Sequence, residues 1–225
     1  LFTTPLGHVG ETFVFAAGDD GTGAMYPSAS PNVLSVGGTS LYVYGDGEWY
    51  GETVWSGGGG GLSKYESVPS YQNGLGLTSR GTPDVAYNGD PETGFAVYDS
   101  YGSGGWMQFG GTSAGTPQWA GLLAIANQGR ALAGQGSLAN AQAVMYAMPS
   151  TDFHDITYGS SGISAKSGYD WATGLGSPIA DRLIPDLVAY NGSTDFTVTP
   201  LPTASTQKSS KQSAFYPLNP ADNQA

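Results

Sequence analysis

Along the first 110 or so residues the hydrophobic positions come in short runs broken by glycine, a rhythm that predicts strands. Thr12-Phe13-Val14-Phe15-Ala16-Ala17 is a near-continuous apolar run closed by Gly18-Asp19-Asp20-Gly21. A strand covered on both faces, as in a parallel sheet, shows this lack of alternation. Residues 33–39 and 41–44 read as two further strands, 83–86 as a short one, and 94–98 with 106–109 as a hairpin. Gly57 to Gly61 form a five-glycine loop between them.

The second half changes period. Residues 117–133 predict a helix with Pro117 in its first turn, and Trp119, Leu122, Leu123, Ile125 and Ala126 make it apolar nearly all round, hence buried. Ser137 predicts the cap of a second helix running to Met148 and stopped by Pro149. Ser177-Pro178 predicts the start of a third, which Pro185 should kink or break. Strands first, helices between and after, and no repeats predict an α/β fold over residues 1–192. The stretch 193–225, rich in Ser, Thr, Pro, Gln and Asn from residue 199, predicts a linker or disordered tail.

Composition narrows the chemistry. The 225 residues hold 7 Lys+Arg against 18 Asp+Glu, a net charge of −11, so no cationic surface exists to bind nucleic acid or an anionic membrane. The absence of cysteine excludes disulfides, thiolate metal sites and cysteine nucleophiles. No apolar run is long enough to span a bilayer. The opening Leu1-Phe2-Thr3-Thr4-Pro5 has neither Met nor signal peptide and reads as the middle of something longer.

The sharpest motif is Gly110-Gly111-Thr112-Ser113-Ala114-Gly115-Thr116-Pro117, leading into the apolar helix. A serine at a helix N-terminus sits among unpaired N–H groups that favour an alkoxide and an oxyanion. A plain capping role for Ser113 or Thr116 explains the spacing equally well. The segment from Gly111 to Pro117 resembles the Gly-Thr-Ser-x-x-x-Pro signature of the subtilisin and sedolisin families, and the resemblance makes Ser113 the catalytic nucleophile.

Two features favour sedolisin. Neither His8 nor His154 stands in a subtilisin-type histidine motif. Asp19, in Ala17-Gly18-Asp19-Asp20-Gly21, stands where subtilisins carry the asparagine that donates to the oxyanion and sedolisins carry aspartate. Only a protonated carboxyl can donate, so this role implies acidic working conditions. Further stretches are similar to sedolisins: Tyr26-Pro27 through Gly38-Thr39, Trp55-Ser56-Gly57-Gly58-Gly59, and Arg80-Gly81-Thr82-Pro83-Asp84-Val85-Ala86, where Arg80 and Asp84 read as structural. The implied fold is a subtilisin-like parallel sheet flanked by helices.

The resemblance also implies calcium. Phe153-His154-Asp155-Ile156-Thr157 and Gly168-Tyr169-Asp170 are similar to the sedolisin calcium loop. Carried over, the ligands are Asp155, Asp170 and the carbonyls of Ile156, Lys166 and Gly168, with Lys166 standing where glycine is usual. Calcium takes six or more such oxygens.

One element of the pattern is missing. Sedolisins activate serine with a glutamate held by an aspartate, and Glu11, the only acid ahead of Asp19, lacks the Glu-x-x-x-Asp spacing. The expected protein is therefore the C-terminal portion of a secreted serine-carboxyl peptidase. Its expected partners are a peptide or protein substrate and an N-terminal half of the domain that supplies Glu and Asp. The alternative is a non-catalytic binding or structural module that kept the fold and lost its base.

Overall fold

The structure, a computed structural model, describes residues 1–8 and 10–192; the expected tail at 193–225 lies outside the described residues. Strand β1 (Val14–Ala16) runs parallel to the first residues of β2 (Leu34–Val43), in the register Val14 to Leu34. The far half of β2 pairs antiparallel with β3 (Trp49–Val54), Thr39 facing Val54. A short antiparallel pair, β4 (Gly61–Leu62) and β5 (Gly81–Thr82), leads to β6 (Val85–Asn88), which returns parallel to β2 with Val36 opposite Val85. The hairpin of β7 (Phe95–Asp99) and β8 (Gly105–Phe109) then feeds α1 (Thr112–Leu132). After α2 (Ala141–Met145), β9 (Phe153–His154) pairs antiparallel with β10 (Ser177–Pro178), and α3 (Ala180–Ala189) closes the described chain.

The core lies between the sheet and two helices. Leu34, Val36 and Val85 of the sheet meet Trp119, Leu122, Leu123 and Ala126 of α1 and Leu183 and Leu187 of α3. Burying one such side chain stabilises the fold by about 1.5–3 kcal/mol. The Trp119 indole, wholly buried, donates its N–H to the Ala86 carbonyl at 3.0 Å, so no polar group is stranded. Arg130 Nη1 donates to the carbonyls of Leu187 at 3.0 Å and Tyr190 at 2.6 Å, tying the end of α1 to the end of α3. Among the described residues no helix is long and apolar enough to cross a membrane.

Several expected boundaries move. The two strands expected at 33–39 and 41–44 are one, because β2 finds partners along its whole length. The strand expected at 83–86 lies at Val85–Asn88. The first helix begins at Thr112, five residues before Pro117, so the proline is inside it. Pro117 lacks the N–H that would have bonded to the Ser113 carbonyl, and the helix continues past it. This helix is not buried all round either: Ile125 is 55% exposed. The second helix is short because Asn140 has φ 60°, a left-handed residue that cannot sit inside a right-handed helix. Ser177 and Pro178 form a strand, not a helix start, and α3 runs through Pro185.

Candidate active site

Ser113 is exposed at the second position of α1. The turn into the helix is made at Gly111, whose φ of 101° suits glycine alone, and whose N–H donates to the Gly89 carbonyl. No local side chain caps α1. The cap comes from Asp19, at the exit of β1. Its Oδ1 accepts the Thr112 N–H at 2.7 Å and the Thr112 hydroxyl at 2.7 Å, across 93 residues of sequence. A carboxylate there also favours the helix dipole. A Cβ at Gly111 would lie 2.8 Å from Asp19 Oδ2, so glycine makes the room in which the carboxyl sits. Two of the residues singled out in the sequence thus meet at one helix end. Among the described residues nothing bonds the Ser113 N–H or its Oγ.

Thr112 is the residue that the sequence reading passed over. It stands inside the quoted motif, but its link to Asp19 is long-range and leaves no spacing to detect.

The glycine-rich loop joins this region to the expected calcium loop. A Cβ at Gly60 would fall 1.8 Å from the Trp171 carbonyl oxygen, and the Gly59 N–H donates to the Gly18 carbonyl at 2.7 Å. In the loop itself Asp170 is buried, with Oδ1 accepting the N–H groups of Ala172 and Thr173 and Oδ2 accepting that of Lys166. Asp155 is exposed, and its Oδ2 accepts the Gly168 N–H at 2.9 Å and the Ser167 hydroxyl. The donor set fits a hard cation: each carboxylate keeps an oxygen with spare lone pairs, and the carbonyls of Ile156, Lys166 and Gly168 accept no backbone hydrogen bond. Lys166, unlike Gly168 at φ 73°, has no left-handed backbone, so a lysine meets no strain there.

Arg80 and Asp84 lie in the core, both wholly buried. The guanidinium meets the carboxylate through two bonds of 2.6 Å. Burial would lower the Arg80 guanidinium, but Asp84 more than offsets this and holds it above its ordinary value. The Tyr146 hydroxyl donates to Asp84 Oδ1 at 2.6 Å, and burial first, then Asp84, keeps that phenol far above its usual range. Of the histidines, His8 pairs with Glu11 at 3.1 Å on the surface, and His154 stacks on Trp49 at 4.0 Å. Burial lowers His154, which the charge of Glu52 partly opposes.

Known proteins resemble this chain in sequence and fold. The profile described as "Subtilase family" matches residues 7–169. Kumamolisin from Bacillus sp. (strain MN-32) is 37% identical over 213 residues, covering 80% of this chain and 37% of that protein. Sedolisin from Pseudomonas sp. (strain 101) is 36% identical over 202 residues, covering 75% of this chain and 33% of its own length. The solved structure of Pseudomonas sedolisin, a serine-carboxyl proteinase complexed with two molecules of pseudo-iodotyrostatin, superposes with a TM-score of 0.70 at 30% identity. That match covers 82% of this chain and 57% of that one. The chain thus spans about a third of the length of these curated relatives. With profile, relatives and fold in agreement, the chain belongs to the subtilase family, among its sedolisin-type members.

Proposed function

We propose that this chain carries the nucleophile and the oxyanion-binding acid of a secreted serine-carboxyl peptidase that works in acid. The observation that carries the reading is the meeting of Asp19 with the N-terminus of the Ser113 helix. Ser113 Oγ attacks the peptide carbonyl carbon, and its proton passes to a glutamate outside the described residues, held there by an aspartate. The C=O π pair moves onto oxygen, and the oxyanion is held by the Ser113 N–H and by the protonated Asp19 carboxyl. Collapse expels the amine, which takes the proton from the glutamate, and water then releases the acyl group by the same steps. Calcium held by Asp155, Asp170 and the carbonyls of Ile156, Lys166 and Gly168 would brace the loop behind the site.

The test is peptidase activity against pH on the full-length gene product. Activity that peaks in acid and vanishes in Ser113→Ala supports the reading. Silence at every pH favours a binding module that kept the fold. The calcium assignment is read separately: calcium raises Tm in the wild type and not in Asp170→Asn.

A further inference from the structure

Thr112, immediately before the nucleophile, is wholly buried yet makes more hydrogen bonds than a helix entry needs. Its N–H and hydroxyl both reach Asp19 Oδ1 at 2.7 Å. The same hydroxyl accepts the Gly18 N–H at 3.1 Å and lies 3.2 Å from the Gly18 carbonyl oxygen. A hydroxyl has one hydrogen, so it serves Asp19 or the Gly18 carbonyl at any moment and never both. Asp19 Oδ1 therefore sits under two donors. Oδ2 sits under none, in the space that Gly111 leaves.

A carboxylic acid carries its proton on one oxygen and accepts on the other. Donors already aimed at Oδ1 make that oxygen the acceptor, whichever way the Thr112 hydroxyl turns. We propose that Thr112 is a positioning residue that assigns the Asp19 proton to Oδ2, the oxygen left to donate to an oxyanion formed at Ser113. The proposal rests on the peptidase reading above. It separates Thr112 from a residue that merely fills space, because an isosteric valine would fill the same space and leave only the backbone N–H to hold Oδ1 as the acceptor.

The pH profile carries the signature. The hydroxyl stabilises ionised Asp19 more than protonated Asp19, since hydrogen bonds to charge are the stronger ones. Removing it should lower kcat and yet move the alkaline limb of activity to higher pH. The elements against Asp19 are the β1 exit, the first turn of α1 and the glycine-rich loop. Among the described residues these three segments carry one other titratable side chain, the exposed Asp20.

The experiment compares Thr112→Val and Thr112→Ser in the full-length protein, with kcat and KM followed against pH and Tm as the folding control. Thr112→Val should lose roughly tenfold to a hundredfold in kcat, with KM changed by less than about threefold, and its alkaline limb should rise. Thr112→Ser should restore both. A valine variant with wild-type kcat and pH profile overturns the proposal, and so does a serine variant that falls as far as the valine one. If Thr112→Val does not fold, Thr112→Ala gives the same readings. A wild-type protein without Ser113-dependent activity overturns the peptidase reading and this inference with it, whereas failure in the Thr112 variants alone leaves that reading standing.

Discussion

Asp84 and Asp152 are both buried acids, and the protein handles them in opposite ways. Asp84 is surrounded by donors: Arg80 on both oxygens, the Ser35 N–H at 2.8 Å and the Tyr146 hydroxyl. Asp152, 2% exposed on the turn before β9, has an Oδ2 with no partner among the described residues. It faces a second acid, Asp186 of α3. Burial first, and Asp186 next, push the Asp152 carboxyl up to about 7, against a smaller opposing effect of Arg182. The lesson is that burial does not by itself decide what a carboxyl does. The sign of its neighbour decides: a cation keeps the charge in place, and a second acid asks for a shared proton.

The largest effect should follow from removing that cation. Arg80→Leu leaves the Asp84 carboxyl in a dry site without its cation and should cost about 3–5 kcal/mol in urea denaturation. Adding Asp84→Asn should recover part of the loss. A loss under about 1 kcal/mol from Arg80→Leu alone would break the comparison, since Asp84 would then be tolerated without its cation. Tyr146→Phe is the milder version. It removes one donor from Asp84 and one acceptor from Gln72 Nε2, and should cost about 2 kcal/mol at unchanged fold.

How these features read in the sequence follows from how local they are. The Ser113 motif and the Gly18-Asp19 turn are contiguous, and both stood out. The apolar runs around Val14, Leu34 and the Phe95 hairpin marked the strands; only in β2 does burial of nearly every residue explain the run, since the hairpin is largely exposed. The start of α1 did not show, because its cap comes from 93 residues away. The break before α2 did not show, because only the backbone of Asn140 reveals it. Arg80 and Asp84, four apart, were legible as structural residues, whereas Tyr146 and Ser35, which complete their shell, come from distant elements. Asp152 gave no signal at all, since one acid in a turn means nothing until the fold brings Asp186 to it.

The smallest expected effect sharpens the other side of the comparison. Between the ordinary carboxyl value of 3.8 and about 7, folded Asp152 holds a proton that the unfolded chain has released. Its contribution is therefore fully present below about pH 4 and is lost as pH rises through about 7. The charged groups that act on it are Asp186 and Arg182 of α3, and Arg182 also donates to the Thr151 carbonyl at 3.1 Å. Asp152→Asn cannot ionise, so its Tm should vary less across pH 4 to 8 than that of the wild type. At pH 8 the variant should melt higher by about 3 °C or more, and at pH 4 no higher. Equal melting at pH 8 would mean that ionised Asp152 is accommodated beside Asp186, and that the two buried acids differ in partners but not in consequence. If the gain appears, acid docks α3 onto the turn at Asp152, where the Ile179 N–H already donates to the Asp152 carbonyl at 2.8 Å.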